Sequence, residues 1–449
     1  MTEERVPQLS DCSLYQSSSK FVPIDENNVR YYSCGPTVYN NIHIGNARAF
    51  VCADLLAKVL RGIYKKVTFV SNITDIDDKI IEASVKEKIS IKELSKRYFE
   101  QYKKDTKFLG IDDPDNQPFA TDFIKEMIDF INVLIDKDAA YVANGNVLFR
   151  VKSFKNYGIL SERIIQEQDS GSRVDVETYK EDPNDFTLWK PSTDDEPGWD
   201  SPWGLGRPGW HLECSVMSEI VLGVPFDIHG GGNDLKFPHH DNEIAQTCAY
   251  HSNESAESFA KYWFHNGFLN LDNEKMSKSL GNVVYIDDLK KNFKGNEIRL
   301  ALLSTHYRQP IPWSLELLEQ SKNIYQKLNR EFKKYNLKEL KFYKDSKVGK
   351  ALLDDLNTPL AIREMQRLVS SNDSDLEENI STFKYIFEGS DQDLSIDKKL
   401  SNEIEKLIEE RNNARNNNDY EKADKIRDKL SEMNVKINDV NGKTEWEIL

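Results

Sequence analysis

A strand, a helix and a second strand follow one another between residues 29 and 71, and this unit limits the folds open to the chain. Residues 29–33 (VRYYS) have the β-branched and aromatic composition of a buried strand. Apolar residues then recur every three or four positions over 44–62, which predicts a helix, and KVTFVSN from residue 66 onward is again typical of a strand. Two strands joined by a crossover helix predict an open, parallel α/β sheet, whose ligands bind beyond the strand ends. Cys34 and His43 fall at that edge.

The rest of the chain predicts an insertion followed by a helical C-terminal third. Helices are expected over 82–109 and 122–136, and a hairpin over 140–154 that turns at Asn144-Gly145. The Pro, Asp and Trp-rich stretch 182–203 predicts loops, whereas FDIHGGG at 226–232 predicts a second sheet strand that runs into a glycine loop. Beyond Trp313 the apolar spacing predicts amphipathic helices, and near the end of the chain it predicts one between residues 420 and 433.

Composition excludes several classes of protein. No apolar run approaches the roughly 20 residues of a membrane-spanning helix, and the N-terminal residues lack the features of a targeting peptide, so a cytoplasmic location is expected. The five cysteines are an odd number and widely scattered, which predicts reduced thiols. The net charge of −15 argues against nucleic-acid binding, although the basic clusters at 58–66 and 341–350 concentrate positive charge locally. A solvated helix face or loop is the simpler explanation of either cluster alone.

Four scattered side chains form a candidate metal site. His239 and Glu243 are four residues apart just after a proline, so both can project from one face of a helix that begins there. Cys34 ends the first strand, and Cys214 follows the sequence WHLE. Zinc accepts this mixture of thiolate, imidazole and carboxylate ligands. Taken alone, buried structural cysteines and a capping histidine explain the same residues more simply.

Three further motifs predict nucleotide chemistry. HIGN at 43–46 opens the first helix, where free amides and a partial positive charge suit phosphate, although His43 can also be a simple helix cap. EKMSKSLGN at 274–282 offers Lys275 and Lys278, which can neutralise charge on a transferring phosphoryl group, or it is a polar linker. HGGGNDLKFPHHDNE at 229–243 lets the backbone approach a ligand, and its Asp234 can hold an ammonium group or cap a helix. No P-loop or dinucleotide fingerprint is present.

HIGN and KMSKS, about 230 residues apart, together resemble the signatures of the class I aminoacyl-tRNA synthetases. Within that class the sequence is similar to the cysteinyl-tRNA synthetases, in blocks that cover nearly the whole chain: CGPTVYN (34–40), TDIDDKI (74–80), GRPGWHLECS (206–215), HGGGNDLKFPHHDNEIAQ (229–246), EKMSKSLGN, DDLNTP (354–359), EKADKIRDKL (421–430) and GKTEW. One position departs from the class motif HIGH, because its last histidine is Asn46 here. Asparagine can donate to a phosphate oxygen but carries no positive charge.

The resemblance implies an enzyme that activates L-cysteine with ATP and magnesium and transfers it to tRNA(Cys). It implies one zinc ion per chain, bound by Cys34, Cys214, His239 and Glu243, which takes the sulfur of cysteine and so rejects serine by roughly 10⁴–10⁵ without editing. Four protein ligands would close a tetrahedral site, so we expect Glu243 to bind loosely or the metal to take five ligands.

The resemblance also implies roles for other residues. His43 and Asn46 would bind phosphate oxygens, and Lys278, assisted by Lys275, would stabilise the transition state. The remaining residues carried over are His229 and Gly230 for ATP, and Gly35, Thr74, Trp210 and Asp234 for cysteine.

The implied architecture is a class I Rossmann-like catalytic domain with an inserted connective domain, followed by a C-terminal helical bundle. The expected segments are 1–120 and 206–265 for the two catalytic halves, 121–205 for the insert, 266–313 for the stem-contact region with KMSKS, 314–395 for the bundle and 396–449 for an anticodon-binding region. We expect a monomer without membrane partners.

Two other functions remain open at this stage. A related ligase could transfer the same cysteinyl-adenylate to a small amine, such as the amino sugar of mycothiol synthesis, but would have no use for the C-terminal helical region. A tRNA-binding or regulatory paralogue without catalysis would be expected to lose HIGN or KMSKS, and both are present.

Overall fold

The computed structural model describes residues 8–10, 18–162, 179–193, 195–271, 274–275, 283–371, 375–388, 394–417, 419–433, 435–440 and 443–448. The chain divides into two compact units, residues 1–389 and 390–449. The strands are β1 Gln8–Ser10, β2 Ser18–Lys20, β3 Val29–Ser33, β4 Val67–Ser71, β5 Ala140–Ala143, β6 Asn146–Phe149, β7 Phe186–Pro191, β8 Gly206–Pro208, β9 Phe226–Gly232, β10 Ala260–Asn266, β11 Leu269–Leu271, β12 Glu274–Lys275, β13 Ile311–Trp313, β14 Val435–Val440 and β15 Lys443–Ile448. The α-helices are α1 Ile44–Arg61, α2 Asp78–Glu87, α3 Ile91–Phe108, α4 Ile124–Asp136, α5 Trp210–Leu222, α6 Asp241–His251, α7 Ile286–Leu289, α8 Gly295–Leu303, α9 Leu315–Phe332, α10 Lys347–Leu352, α11 Thr358–Ser371, α12 Leu376–Phe387, α13 Leu394–Asn416 and α14 Tyr420–Glu432.

A four-stranded parallel sheet forms the centre of the first unit, with the strand order β10-β9-β3-β4. The predicted strand, helix and strand are confirmed as β3, α1 and β4. Alternate residues of these strands face opposite sides, so that Tyr31 and Phe69 belong to one buried apolar cluster and Tyr32 and Val70 to another. Both faces of the sheet are therefore covered, as a parallel sheet requires.

The predicted hairpin is confirmed and is part of a larger antiparallel sheet, β5-β6-β7-β8. Its turn residues Asn144 and Gly145 have positive φ values of 51° and 78°, the conformation that an Asn-Gly turn favours. The prediction of loops throughout 182–203 is wrong in part, because β7 lies within that stretch. Phe186, Leu188 and Trp189 of β7 are buried, so the Pro and Asp residues around the strand concealed its apolar face.

One predicted helix is divided in two by a residue in a left-handed conformation. The helix predicted over 82–109 is two helices, α2 and α3, because Lys88 adopts a left-handed conformation with φ 56° and Ser90 caps the start of α3. The glycines of FDIHGGG do not form a loop, since β9 continues to Gly232.

Within the described residues, no helix is both long and apolar enough to span a membrane.

The second unit, residues 390–449, contains α13, α14 and the antiparallel pair β14 and β15. Its apolar core includes Ile404, Leu407, Ile426 and Leu430. The helix predicted by apolar spacing between 420 and 433 is confirmed as α14. The final strand pair was not predicted, because its residues alternate polar and apolar side chains too weakly to indicate strands.

A buried ion pair network joins α1 to α8. Asp54 accepts hydrogen bonds from Lys58 at 3.0 Å, from the backbone N–H of Asp112 at 3.0 Å and from Arg299. Burial raises the pKa of Asp54, but attraction to Lys58 and Arg299 outweighs burial and lowers that pKa below its ordinary value. The carboxylate is therefore the form that the fold requires.

Asp54→Asn is expected to lower the free energy of unfolding by about 3–5 kcal/mol, because it leaves the buried Arg299 without its counter-charge and leaves Lys58 only the carboxylate of Asp112 at 3.6 Å. The difference should be largest at neutral pH and should shrink as the pH falls through about 4, where the wild-type carboxylate is protonated in the unfolded chain and then in the folded one. Urea unfolding at several pH values measures this. Asp288→Asn is the control, since Asp288 forms an exposed pair with Lys291. Equal stability of the two variants would contradict the prediction.

Candidate active site

Four side chains that are distant in the sequence meet at the carboxyl ends of β3 and β9. One ligand atom from each of Cys34, Cys214, His239 and Glu243 lies within 4.8 Å of every other. Cys34 Sγ is 3.8 Å from Cys214 Sγ, and His239 Nε2 is 2.7 Å from Glu243 Oε1. The structure therefore brings together all four residues that the sequence suggested as metal ligands.

The helix that carries Glu243 begins later than the sequence predicted. Residues 236–240 form one wide helical turn that is interrupted at Phe237, whose backbone is extended, and α6 starts only at Asp241. His239 therefore precedes the α-helix and does not share a regular helical face with Glu243. The two side chains still converge, because the wide turn directs both into the same buried space.

The electrostatics of this group suit a divalent cation. Burial raises the pKa of Glu243, but the neighbouring His229 and His239 outweigh burial and lower that pKa to about 2. The hydrogen bond with Cys34 lowers the pKa of the Cys214 thiol, whereas burial raises the pKa of Cys34. A buried carboxylate and an acidified thiol place negative charge where a cation can neutralise it.

Four more histidines surround these residues, and the sequence did not indicate that they lie here: His211, His229, His240 and His265. His211 Nδ1 lies 2.9 Å from His239 Nδ1, and His265 Nε2 lies 2.8 Å from His240 Nδ1. Burial lowers the pKa of His211 and of His265 to about 3, so both rings are neutral. Contacts of this kind orient a histidine that binds metal. The only sequence signal was the His239-His240 pair within HGGGNDLKFPHHDNE.

His229 lies in the same cluster, although we predicted that it contacts ATP. Its Nε2 is 2.6 Å from Glu243 Oε2, and the residue has no exposed surface. A second group of candidate metal ligands, Cys34, His229, His240 and Glu243, also lies within 4.8 Å. Gly230, the neighbouring residue in β9, accepts a hydrogen bond from the backbone N–H of Cys34 at 3.0 Å. The position of the His229 ring beside the Glu243 carboxylate favours a role for His229 in orienting Glu243.

A polar network lies next to the cysteine pair. The backbone N–H of Gly35 donates to Asn72 Oδ1 at 2.9 Å, and a Cβ atom on residue 35 would lie 1.7 Å from the carbonyl oxygen of Asn72. Glycine is therefore required at position 35. Thr74 Oγ1 donates to Glu213 Oε2 at 2.7 Å, and burial raises the pKa of Glu213 well above its ordinary value.

The other two predicted pocket residues are accessible to solvent. Trp210 begins α5 and is 40% exposed, and its ring stacks on His239 with centroids 4.2 Å apart. Asp234 is exposed in the turn that follows β9. A partly exposed aromatic ring thus contacts the cluster, and the exposed carboxylate of Asp234 is close enough to Cys34 to add to burial in raising the pKa of its thiol.

The first turn of α1 presents hydrogen-bond donors to its surroundings. His43 Nδ1 accepts from the backbone N–H of Asn46 at 3.1 Å, and Asn46 Oδ1 accepts from the backbone N–H of His43 at 3.3 Å. Because Nδ1 is an acceptor, the proton of the neutral ring is on Nε2. Asn46 has its Nδ2 amide left, which forms no hydrogen bond to a described residue. The side chain of Asn46 can therefore act as a donor to phosphate.

The KMSKS lysines can be placed only in part. The backbone of Lys275 lies in β12 and pairs with Asn270 of β11. Lys278 lies outside the described residues.

Comparison with known proteins supports a family assignment. The family model described as "tRNA synthetases class I (C) catalytic domain" matches residues 20–323, and "Cysteinyl-tRNA ligase anticodon binding domain" matches residues 397–446. A cysteine–tRNA ligase from Pelagibacter ubique is 45% identical over 97% of this chain and 98% of its own length. The chain belongs to the cysteinyl-tRNA synthetase family. Another cysteinyl-tRNA synthetase relative, from Bacillus licheniformis, is 42% identical over 97% of each chain.

Solved structures of other synthetases share the fold. A methionyl-tRNA synthetase from Mycobacterium tuberculosis, in complex with methionyl-adenylate, has a TM-score of 0.56 at 15% identity, over 80% of this chain and 89% of its own. A leucyl synthetase from Agrobacterium radiobacter, in a ternary complex with tRNA, has a TM-score of 0.57 at 11% identity, over 82% and 84%. The class I fold expected from the motifs is thereby confirmed for this cysteinyl-tRNA synthetase family member.

Proposed function

We propose that the chain joins L-cysteine to ATP, forms cysteinyl-adenylate and transfers cysteine to the 3′ end of tRNA(Cys) for translation. The observation that carries this proposal is the convergence of Cys34, Cys214, His239 and Glu243 within 4.8 Å, in a chain of this family. In the reaction, the carboxylate of cysteine attacks the α-phosphate of ATP in line, and pyrophosphate leaves. The ribose hydroxyl at the tRNA terminus then displaces AMP.

The four converging residues fit one zinc ion per chain. Two sulfur atoms, one imidazole and one carboxylate form a borderline-soft ligand set, and these groups are buried with an anionic Glu243 among them. Zinc held there would act as a Lewis acid that takes the sulfur of cysteine as thiolate and leaves the hydroxyl of serine a poor ligand. Glu243 is the ligand we expect to be loosest, since its two oxygens are already shared between His229 and His239.

Recognition of the rest of cysteine is assigned to Gly35, Thr74, Trp210 and Asp234. The bare Gly35 lets the substrate approach the backbone, and Thr74 offers a hydroxyl whose direction is set by Glu213. Asp234 provides the counter-charge for the ammonium group, because it is the carboxylate exposed beside β9. The face of Trp210 that is not stacked on His239 closes the pocket.

ATP, with magnesium, is assigned to the first turn of α1. His43 and Asn46 donate to phosphate oxygens, and the backbone at Gly230 lies close enough to Cys34 to border the same space. We assign His229 to the support of Glu243 instead of to ATP. Lys278, assisted by Lys275, neutralises the charge that develops on the α-phosphate and on leaving pyrophosphate.

Lys278→Ala is expected to slow ATP–pyrophosphate exchange about 100-fold, since one charged donor to the transition state is lost. The KM for cysteine should stay within about twofold, because Lys278 makes no contact with the amino acid in this mechanism. Steady-state exchange kinetics measure both. Lys291→Ala, which removes an exposed lysine paired with Asp288, should behave as the parent. A normal exchange rate in Lys278→Ala would show that the assigned role is wrong.

Transfer to tRNA is favoured over transfer to a small amine by the match of residues 397–446 to an anticodon-binding domain. We propose the functional segments expected from the sequence, with 121–205 as the connective insert and 266–313 as the stem-contact region. Because tRNA charging serves translation, a cytoplasmic location follows. We also propose that the chain acts as a monomer, since each chain carries the complete set of site residues.

The decisive experiment is ATP–pyrophosphate exchange with cysteine and with serine, with zinc measured on the same preparation. Exchange with cysteine alone and about one zinc per chain are expected, with discrimination of roughly 10⁴ or more. Exchange with neither amino acid would favour a non-catalytic paralogue. Exchange with cysteine but no charging of tRNA would favour the small-amine ligase.

A further inference from the structure

Arg48 is a buried cation that contacts carbonyl groups and no carboxylate among the described residues. It lies on α1, two residues after Asn46, and has no exposed surface. Its Nε donates to the carbonyl oxygen of Gly267 at 3.1 Å, Nη1 to that of Leu302 at 2.9 Å and Nη2 to that of Gln309 at 2.7 Å. A guanidinium is suited to this task, because its five donors have a fixed, planar arrangement.

Two of these carbonyl groups, those of Gly267 and Gln309, lie just before β11 and β13 of the small sheet β12-β11-β13, and we call this place the β11–β13 base; Leu302 belongs to α8. Gly267 lies between β10 and β11, and Gln309 lies just before β13, which pairs with β11. The backbone at Gly267 packs tightly against the segment that precedes β13. The N–H of Gly267 donates to the carbonyl oxygen of Tyr307 at 2.7 Å, and a Cβ atom on residue 267 would lie 2.5 Å from the carbonyl oxygen of Gln309. Arg48 thus connects α1 to the start of β11, the strand that pairs with Lys275, and to the start of β13 on the other side of β11.

A second connection joins α1 to the segment on the other side of KMSKS. The N–H of Ile44 donates to the carbonyl oxygen of Val284 at 2.9 Å, and the N–H of Ile286 donates to that of Ile42 at 3.3 Å. The first turn of α1 is therefore fixed to described residues before and after the KMSKS sequence. Arg48 is the side chain that makes the first of these connections.

We propose that Arg48 is a positioning residue for ATP, which acts by setting the distance between the first turn of α1 and the β11–β13 base. The proposal rests on the proposed function, because it assumes that both elements contact the same ATP molecule. A misplacement of about 1 Å between groups that bind one substrate is enough to cost about 100-fold in rate. Lysine in place of Arg48 would keep the charge but could not bind the same carbonyl groups together.

The test compares Arg48→Lys with Arg299→Lys in the full-length chain. Arg299 is also a fully buried arginine that fastens α1, through Asp54, but its other bonds go to the carbonyl oxygens of Ile386, Leu109 and Gly110, away from β11 and β13. In pyrophosphate exchange, Arg48→Lys should raise the KM for ATP about tenfold or more while the KM for cysteine stays within about twofold. Arg299→Lys should lose thermal stability but keep the parental KM for ATP.

A purely structural role for Arg48 predicts a different result. Loss of stability alone lowers the fraction of active chain, which reduces kcat and leaves both KM values unchanged. An unchanged KM for ATP in Arg48→Lys, or an equal rise in Arg299→Lys, would overturn the proposal. If the parent chain itself gave no cysteine-dependent exchange, the proposed function would have failed and not the role of Arg48.

Gly267→Ala provides a second test that leaves Arg48 in place. The added methyl group must displace the backbone of Gln309, so it disturbs the β11–β13 base without changing Arg48. If Arg48→Lys does not fold, a raised KM for ATP in Gly267→Ala supports the proposal and an unchanged KM overturns it.

Discussion

Cys214→Ser is expected to release zinc and to lower kcat/KM for cysteine activation by about 10³ or more. Serine is nearly the same size as cysteine, so the buried position of residue 214 in α5 should be preserved. The change replaces the more acidic of the two thiols with a hydroxyl, which is a poor zinc ligand. Loss of one strong ligand would weaken the proposed site, and loss of zinc would remove the group that we propose selects sulfur.

Two measurements check this prediction on one preparation: metal content by emission spectrometry and cysteine-dependent pyrophosphate exchange. Cys248→Ser is the matched control, because Cys248 is also buried but its thiol contacts Ser255 and Ser258 instead of the cluster. That variant should keep its zinc and its activity. Full zinc content in Cys214→Ser would remove Cys214 from the ligand set, whatever the exchange rate.

The cluster could be predicted only in part because the sequence does not record how distant segments meet. The residue types and the strand ends indicated Cys34, Cys214, His239 and Glu243 as a candidate metal site, and the family resemblance favoured that site over the simpler explanation of buried structural cysteines. The support from His211 and His265 was not predictable, since a single histidine in a helix or strand carries no signal of its partner. Arg48 was missed for a related reason, because its partners are backbone carbonyl groups, which any sequence provides.

Prediction of the fold succeeded where local pattern and burial agree. Residues 29–71 have one apolar pattern per element, and β3, α1 and β4 occur as predicted. The pattern failed at Lys88, where a non-glycine residue in a left-handed conformation divides α2 from α3. It also failed for β7, where packing of Trp189 in the core overrides a local composition typical of loops.

Asn46 replaces the last histidine of the class motif HIGH, and the first turn of α1 is still capped. The side-chain oxygen of Asn46 accepts from the N–H of His43, and the ring of His43 accepts from the N–H of Asn46, so the two residues cap the helix reciprocally. Because the backbone N–H of His43 already donates to the side-chain oxygen of Asn46, the Nδ2 amide of Asn46 is the group left to donate. Triphosphate oxygens are acceptors only, so a donor at this place fits the ATP that we propose binds there.

Asn46→Asp tests this polarity directly and is expected to slow pyrophosphate exchange by about 10³ or more. Aspartate keeps the oxygen that accepts from His43, so the cap and the thermal stability should be retained. It replaces the amide donor with a second acceptor and adds a negative charge that faces the phosphates. The loss should therefore appear in the KM for ATP and in kcat, with the KM for cysteine within about twofold of the parent.

Asn46→His is the complementary variant, because a histidine at this position restores the class motif and again offers a ring N–H to phosphate. It should retain activity within about tenfold of the parent, at least 100-fold above Asn46→Asp. Asn46→Ala removes both the helix cap and the amide donor, whereas Asn46→Asp removes only the donor. Comparing the two variants separates these functions, and Asn46→Ala should be the less stable. If Asn46→Asp activated cysteine at the parental rate, the oxygen of residue 46 would matter only for the helix cap, and phosphate recognition would have to come from His43 and the lysines alone.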